Sequence, residues 1–332
     1  MSLLFVQFVH PGSQPSLNKY ERNLNIKGWN NGSHKRKFMK AIGQYVLNNN
    51  TLSHKQELLF WGEWEPMSFV TKYYKQKDYR IYPKHLHEPF LQVGNHGRVV
   101  INVQGLPPIN TNNVNSKNKK YKLQSTDPFV FADCFYYAIC KQDVYKSLRN
   151  LDPGSIILFG STILKSNIGP YFALDTVFVV SDNKDYTFNT HLSELNGFVP
   201  AYYGDIECFY INKNAFPGTY KCYKGASFQN PFNGMFSFVP CKDISHINNG
   251  FERVILTEKD LQQFNGKPVL TNNLMQGLKK TKTDLAFNQQ IWNRLCQIVR
   301  KQGFELGLNF EYSIQNPPLK YPLLKLNRNI KP

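Results

Sequence analysis

Short apolar runs separated by turn residues dominate the chain, and such runs are typical of β-strands. The first, Leu3–Val9, ends at His10-Pro11-Gly12. Two others, Ser155–Phe159 and Tyr171–Val180, carry apolar residues at alternate and intervening positions, so we expect both of their faces to be buried. A polar loop joins these two runs. The pattern predicts a strand pair at the centre of a sheet or barrel.

A further strand is predicted at Leu58–Pro66, LLFWGEWEP. Side chains alternate along a strand, so one face would carry Leu59, Trp61, Glu63 and Glu65, and the other Leu58, Phe60 and Trp64. The second face is expected to be core. The first combines a flat ring with two carboxylates, which indicates either a solvated edge or a pocket for a flat ring.

Three segments predict helices. One covers residues 33–47 and has a serine as candidate N-cap, and a second begins at Asp127-Pro128. A third covers residues 284–302, with Thr283 as its cap and Gly303 as its stop. Together with the strands, these segments predict an α+β fold: a mixed or barrel-like β-sheet core with flanking helices and a long C-terminal helix.

Residues 105–125 interrupt this pattern, because they are rich in asparagine and lysine and show no apolar periodicity. They predict either a linker or a long loop. The interruption divides the chain into an N-terminal α/β region, residues 1–104, and a C-terminal α+β region, residues 126–332.

The formal charge of +17, from 40 Lys and Arg against 23 Asp and Glu, suggests a polyanionic partner. Aromatic residues make up 14% of the chain, and flat rings stack well on bases. We therefore expect nucleic acid as the partner, DNA rather than RNA, although a lysine-rich coding bias could supply the same charge. The candidate phosphate contacts are Lys35, Arg36, Lys37, Lys119, Lys120, Lys279 and Lys280.

Four carboxylates are candidate catalytic groups: Glu63, Glu65, Asp133 and Asp175. Asp133 and Asp175 lie among apolar and aromatic neighbours, where desolvation raises a carboxyl pKa and suits it to general acid or base work. The alternative for Asp175 is a structural role, satisfied by backbone amides or an arginine.

The candidate substrate-binding residues are rings that could stack on or hydrogen-bond a base: Trp61, Trp64, His85, His87, Phe228 and Phe236. The two phenylalanines lie in a Gly- and Asn-rich aromatic segment, for which packing against a sheet edge is the alternative. His85 and His87 have no third metal ligand at a familiar spacing, so we predict no metal and no cofactor.

Six cysteines at long irregular intervals and the absence of a signal-peptide pattern predict a cytoplasmic protein. No apolar run is long enough to span a bilayer, so no membrane partner is expected. Walker, dinucleotide-binding and nucleophile-elbow motifs are absent, and the sequence does not indicate an oligomeric state.

The segments GSIILFGS, residues 154–161, and YFALDTVFVV, residues 171–180, resemble strands of the PUA-like barrels, which include the ASCH and EVE domains. The resemblance implies a barrel topology and binding of RNA or modified bases. It carries no site residue onto this chain.

These patterns predict a protein that acts on DNA by holding a base in an aromatic and acidic pocket. The first hypothesis is a hydrolase that cleaves a glycosidic or phosphodiester bond. The alternative is a reader that holds a modified base without chemistry. A third is a nucleotide-dependent transferase in which YKGASF, residues 223–228, contacts the anion.

Overall fold

The computed structural model describes residues 3–29, 35–75, 82–94, 97, 99, 126–164, 166–208 and 218–315. Two large β-sheets form most of this part of the chain, with few helices. The predicted α+β fold is therefore confirmed.

The strands of the described residues are β1 Leu3–Val9, β2 Ile26–Lys27, β3 Lys37–Val46, β4 Gln56–Gly62, β5 Ser68–Tyr73, β6 His85–Gln92, β7 Tyr136–Tyr137, β8 Ile156–Ile163, β9 Tyr171–Tyr186, β10 Tyr220–Gly225, β11 Val239–Asp243, β12 Val254–Leu256, β13 Gln263–Phe264, β14 Lys267–Pro268, β15 Gly277–Thr283, β16 Glu305–Leu308 and β17 Ser313–Gln315. The α-helices are α1 Lys19–Leu24, α2 His191–Glu194, α3 Ala201–Cys208 and α4 Leu285–Lys301. Short 3₁₀ helices cover Lys146–Arg149 and Ile244–Asn248.

The first sheet has the order β15-β1-β8-β9-β10-β7, and β12 also pairs with β9. The predicted central pair is confirmed, since β8 and β9 lie antiparallel in the middle of this sheet and are buried on both faces. The parallel neighbour of β8 is β1.

The second sheet has the order β16-β11-β4-β3-β6-β5-β2, and β17 pairs with β6. Because β16 also pairs with β3, the strands β3, β4, β11 and β16 close into a four-stranded ring. This ring is the barrel-like element that the sequence predicts. Both sheets combine strands from before and after residues 105–125, which lie outside the described residues.

Strand β4 divides its side chains between two apolar clusters, as the alternation predicts. Leu59 and Trp61 belong to one cluster, and Leu58 and Phe60 to the other. The strand ends at Gly62, so the two glutamates that were placed on it follow it instead.

The helix predicted over residues 33–47 is wrong, because this segment contains strand β3. Phe38 packs in one apolar cluster and Met39 in the other, so the first half of the strand is buried on both faces, whereas Ile42 in the second half is 39% exposed. A strand of this kind lacks alternation and is easily confused with a buried helix. Hydrogen bonding to β4 then outweighs the weak helix propensity of the segment.

The helix predicted from Asp127 is also wrong. Instead of capping a helical turn, the Asp127 carboxylate accepts hydrogen bonds from the backbone N–H groups of Ala138, Ile139 and Cys140, at 2.9, 2.6 and 2.6 Å. These contacts fold the segment back on itself, and Phe129 forms a β-bridge with Tyr136. The apolar side chains are buried in a compact loop rather than around a helix.

The long C-terminal helix is confirmed as α4. Its N-cap is Asp284 rather than Thr283, since the Asp284 carboxylate accepts from the backbone N–H of Phe287 at 2.8 Å. Gly303 follows with a φ of 74°, the left-handed conformation that ends many helices. No helix among the described residues combines the length and apolar character needed to cross a membrane.

The buried Asp127 carboxylate provides a test of this fold. Asp127→Asn puts an NH₂ group opposite backbone N–H donors, so it should lower the free energy of unfolding by about 2–3 kcal/mol. The matched control is Asp133→Asn in the same loop, where the side chain is exposed and the change should stay within about 0.5 kcal/mol. Urea unfolding of both variants measures the difference. Equal losses would contradict the assigned role of Asp127.

Candidate functional site

A cluster of buried charged side chains lies where the two sheets meet. It consists of His10, Arg36, Glu63, Asp175 and Arg253, and we call it the arginine cluster. His10 follows β1 and Asp175 lies in β9, both in the first sheet, whereas Arg36 precedes β3 and Glu63 follows β4, both in the second. The cluster therefore joins the sheets through side-chain contacts.

Arg36 occupies the middle of the arginine cluster and is 0% exposed. Its Nη1 donates to Glu63 Oε2, and its Nε lies 2.8 Å from Asp175 Oδ2. Burial lowers the pKa of the Arg36 guanidinium, but the two carboxylates outweigh burial and raise this pKa above its ordinary value. Burial raises the pKa of the Asp175 carboxyl, and the positive charges of Arg253 and Arg36 partly oppose this rise. The two arginines and two carboxylates balance in formal charge.

Trp61 borders the same cluster. The Arg253 guanidinium lies 5.0 Å from the centre of the Trp61 ring, and its Nη1 donates to Ser161 Oγ at 3.0 Å. Trp61 Nε1 donates to the backbone oxygen of Phe251 at 2.9 Å, and the side chain is 2% exposed. The structure thus brings Trp61, Glu63 and Asp175 together, and the protein's own arginines lie against them.

His10 and Cys140 resemble a nucleophile and its base, with His10 Nε2 3.3 Å from Cys140 Sγ. Arg36 Nη2, however, donates to His10 Nδ1. Nδ1 is therefore the acceptor, and neutral imidazole then carries its proton on Nε2, which donates to the sulfur. His10 in this state cannot take a proton from the thiol, so the pair is not arranged for nucleophilic catalysis.

A second cluster of buried polar side chains surrounds Lys37. The Lys37 ammonium donates to Pro66 O at 3.2 Å and to Ser68 Oγ at 3.5 Å. Burial lowers the pKa of Lys37 to about 7, an effect that the charge of Glu65 partly opposes. Ser68 Oγ lies 3.0 Å from His87 Nδ1, and burial holds the pKa of His87 well below its usual range.

His85 lies beside His87 on β6, with ring centroids 5.8 Å apart, and burial lowers its pKa to about 4. Trp64 is 0% exposed and donates to Met67 O at 2.7 Å. Glu65 is also 0% exposed, and its backbone N–H donates to Thr126 Oγ1.

The basic candidates are dispersed. Arg36 and Lys37 are 0% exposed, so they lie in the interior rather than on a surface that a phosphate backbone reaches. Lys280 is exposed on β15, an edge strand among the described residues, and the neighbouring Lys279 donates to Leu270 O. Lys35 is partly exposed, and Lys119 and Lys120 lie outside the described residues.

Phe228 and Phe236 line a different feature, a groove of about 600 Å³ between α4 and residues 226–238. We call it the aromatic groove, and its lining residues are Val46, Asn50, Phe228, Pro231, Gly234, Phe236, Trp292, Asn293, Cys296, Gln297, Arg300 and Leu306. The ring centroid of Phe236 lies 5.3 Å from that of Phe228 and 4.9 Å from that of Trp292, with edge-to-face geometry at both contacts.

Two hydrogen bonds hold the walls of the aromatic groove in place. Gln289 Nε2 donates to Asn233 O at 2.9 Å, and Trp292 Nε1 donates to Phe236 O at 2.8 Å. Asn233 and Gly234 have φ values of 48° and 81°, and two backbone bonds between Phe232 and Met235 close a two-residue turn around them. Residues 226–238 are thus anchored to the helix on one side.

The polar wall of the groove comes from one side of α4. Asn293 and Gln297 are four residues apart and exposed, and Arg300 continues this side of the helix. Cys296 lies between them with a thiol whose pKa burial raises to about 12, so it stays neutral. None of the described side chains that line the groove is acidic.

The structure adds site residues that the sequence pattern did not single out. Trp292 lies at the border of the apolar stripe of α4 and is half-buried. In the sequence, the signal for this site is an aromatic residue at the border of an apolar stripe, followed by amide side chains and an arginine. His10 and Arg253 gave no signal, because they meet their partners only through the fold.

Asp133 is exposed on the loop before β7 and joins neither the arginine cluster nor the groove lining. Among the described residues, no three His, Cys, Asp or Glu side chains are grouped as metal ligands. Comparison of the chain with protein-family models, curated proteins and solved structures gave no match. The resemblance of residues 154–180 to PUA-like barrels therefore rests on the sequence alone.

Glu63→Gln tests the arginine cluster. It removes one carboxylate from a buried ion pair, so we expect a loss of about 3 kcal/mol in the free energy of unfolding. Glu57→Gln is the matched control on the strand that precedes Glu63, since Glu57 pairs with Lys40 at 2.6 Å and its side chain is 44% exposed. Its loss should be below about 1 kcal/mol. A stable Glu63 variant would show that the pair contributes little to the fold.

Proposed function

We propose that this protein binds single-stranded nucleic acid and holds one unpaired base in the aromatic groove as a reader, without chemistry on the base. The observation that carries this proposal is the groove itself, where three aromatic rings meet exposed amides beside an arginine. Its volume of about 600 Å³ lies in the usual range of small-molecule and nucleotide sites.

The aromatic wall supports base stacking. Phe228 and Trp292 are half-buried, so each keeps some ring surface for a ligand while packing against Phe236. The bond from Trp292 Nε1 to Phe236 O fixes the indole before a ligand arrives, which reduces the entropy lost on binding. Stacking on such rings requires a base that is free of its duplex neighbours.

The amide wall supports recognition of a base edge. Asn293 and Gln297 each offer a donor and an acceptor, the pattern that these side chains use to contact bases. The overall charge of +17 adds attraction for a phosphate backbone. No acidic side chain among the described lining residues opposes that attraction.

The reader hypothesis is favoured over the hydrolase because of where the acids lie. Glu63 and Asp175 are at most 2% exposed and are paired with arginines, and neither lines the groove. A general base must reach the proton that it removes, directly or through one water. The transferase hypothesis is also disfavoured, since the backbone N–H groups of Gly225 and Ala226 already donate to Phe135 O and Val179 O.

Tryptophan fluorescence tests the proposal directly. Trp29, Trp61 and Trp64 are at most 4% exposed, whereas Trp292 is half-buried in the groove. Stacking should therefore quench mainly Trp292. We expect single-stranded oligonucleotides to quench the emission at low salt, duplexes to do so less, and affinity to fall steeply as salt rises.

Phe228→Ala should weaken this binding by about 1–3 kcal/mol, the usual stacking range, measured at a temperature where the variant is fully folded because it also loses its contact with Phe236. Tyr20→Ala is the control, because Tyr20 is 59% exposed on α1 and does not line the groove. The proposal fails if oligonucleotides cause no quenching, or if the same quenching persists after Trp292→Phe.

A further inference from the structure

We infer that the aromatic groove takes a whole nucleotide, with its base against Trp292 and its phosphate at the guanidinium of Arg300. This inference rests on the proposed function and adds the orientation and the chemical class of the ligand, a nucleoside monophosphate unit. The groove is chemically asymmetric: its three rings lie at one end, and Arg300 is its one charged described lining residue.

The spacing of the two ends suits one nucleotide. Trp292 and Arg300 are eight residues apart on α4, and both line the groove. At 1.5 Å per residue, this separation is about 12 Å along the helix axis. Asn293 and Gln297 lie between them, where the base edge and sugar of a ligand in this orientation would pass.

Arg300 is held in place but keeps hydrogen-bonding capacity. Its Nη2 donates to the backbone oxygens of Val46 and Leu47 at 3.3 and 3.4 Å, which anchors the side chain to the end of β3. Among the described residues, its Nη1 has no hydrogen-bond partner, whereas its Nε, which also lacks one, is buried and out of reach of a ligand. An anchored guanidinium with an unused donor is well suited to bind a phosphate oxygen.

Some of the charges around Arg300 favour phosphate binding and others oppose it. The last carbonyl groups of α4 carry a partial negative charge, and Glu305 lies close enough for Arg300 to influence its carboxyl. Burial nevertheless raises the pKa of Glu305. Lys301, the neighbouring residue, is exposed and adds a second positive charge at this helix end. Arg300 and Lys301 thus set two positive charges against Glu305 and the partial charge of the helix end.

The experiment measures quenching of Trp292 by nucleosides and by their 5′- and 3′-monophosphates. In the parent protein, one of the two monophosphates should bind at least about tenfold more tightly than its nucleoside, as expected for a charge-assisted hydrogen bond. Arg300→Gln should remove that advantage, so that monophosphate affinity falls to the level of nucleoside affinity measured in the same variant. Arg300→Lys should keep part of it, because the charge remains but the fork geometry does not.

Arg294→Gln is the matched control. Arg294 is an exposed arginine on the same helix, does not line the groove, and donates through Nε to Asp260 O at 3.3 Å. This variant should retain the full phosphate advantage. If Arg300→Gln does not fold, the salt dependence of binding to the parent protein tests the phosphate contact instead. Monophosphate affinity should fall as salt rises, and nucleoside affinity should not.

The outcomes separate the two proposals. Equal affinity for nucleoside and both monophosphates overturns the orientation but leaves base stacking in the groove intact. A phosphate advantage that survives Arg300→Gln, or disappears equally in Arg294→Gln, also overturns the role of Arg300. Absence of quenching by every nucleoside, nucleotide and single strand overturns the proposed function as well.

Discussion

Burial of the Arg36 guanidinium between Glu63 and Asp175 is the constraint on which the junction of the two sheets depends. A guanidinium removed from water costs several kcal/mol unless carboxylates pair with it. Those carboxylates come from different sheets, so the pairs form only when both sheets are correctly placed. Arg253 adds a second cation and covers one face of Trp61. The charges therefore specify how the apolar layers meet, even if a wholly apolar junction could be equally stable.

The same ion pairs determine whether Glu63 and Asp175 can act as general bases. A carboxylate that neutralises a buried arginine cannot act as a base without leaving that arginine unpaired. The ligand-binding features instead lie in the aromatic groove, where α4, residues 226–238 and the end of β3 meet. Gln289, Trp292 and Arg300 each donate to backbone oxygens of these neighbouring segments. The groove is thus built on a rigid helix, and its exposed amides and rings are free of structural ion pairs.

Much of the fold was predictable because strand signals are local. Short apolar runs bounded by turn residues located β1, β8 and β9, and alternation along β4 assigned the faces of Leu59 and Trp61 correctly. Residues 33–47 were misassigned, because their apolar residues do not alternate and a serine stands where a helix N-cap would. The segment after Asp127 was misassigned because its carboxylate binds backbone groups 11 to 13 residues away. Hydrogen bonds of that range leave no periodic pattern.

The candidate site was predictable only in part, for a related reason. The strand pattern predicted one face for Trp61 and Glu63 but gave no indication of the arginines, since Arg36 is 27 residues from Glu63 and Arg253 is 78 residues from Asp175. No spacing rule identifies partners at such distances. Phe228 and Phe236 were found from a Gly- and Asn-rich aromatic segment, whereas Trp292 and Arg300 required the packing of α4 against it.

Photocrosslinking to a single strand that carries 5-iodouracil, followed by mass spectrometry of the crosslinked peptide, tests the central claim most directly. This chemistry joins a base to an aromatic ring that contacts it. The account predicts crosslinks to Phe228, Phe236 or Trp292, and fewer of them when unlabelled single strand competes. Crosslinks confined to other parts of the chain, with none in the aromatic groove, would contradict it.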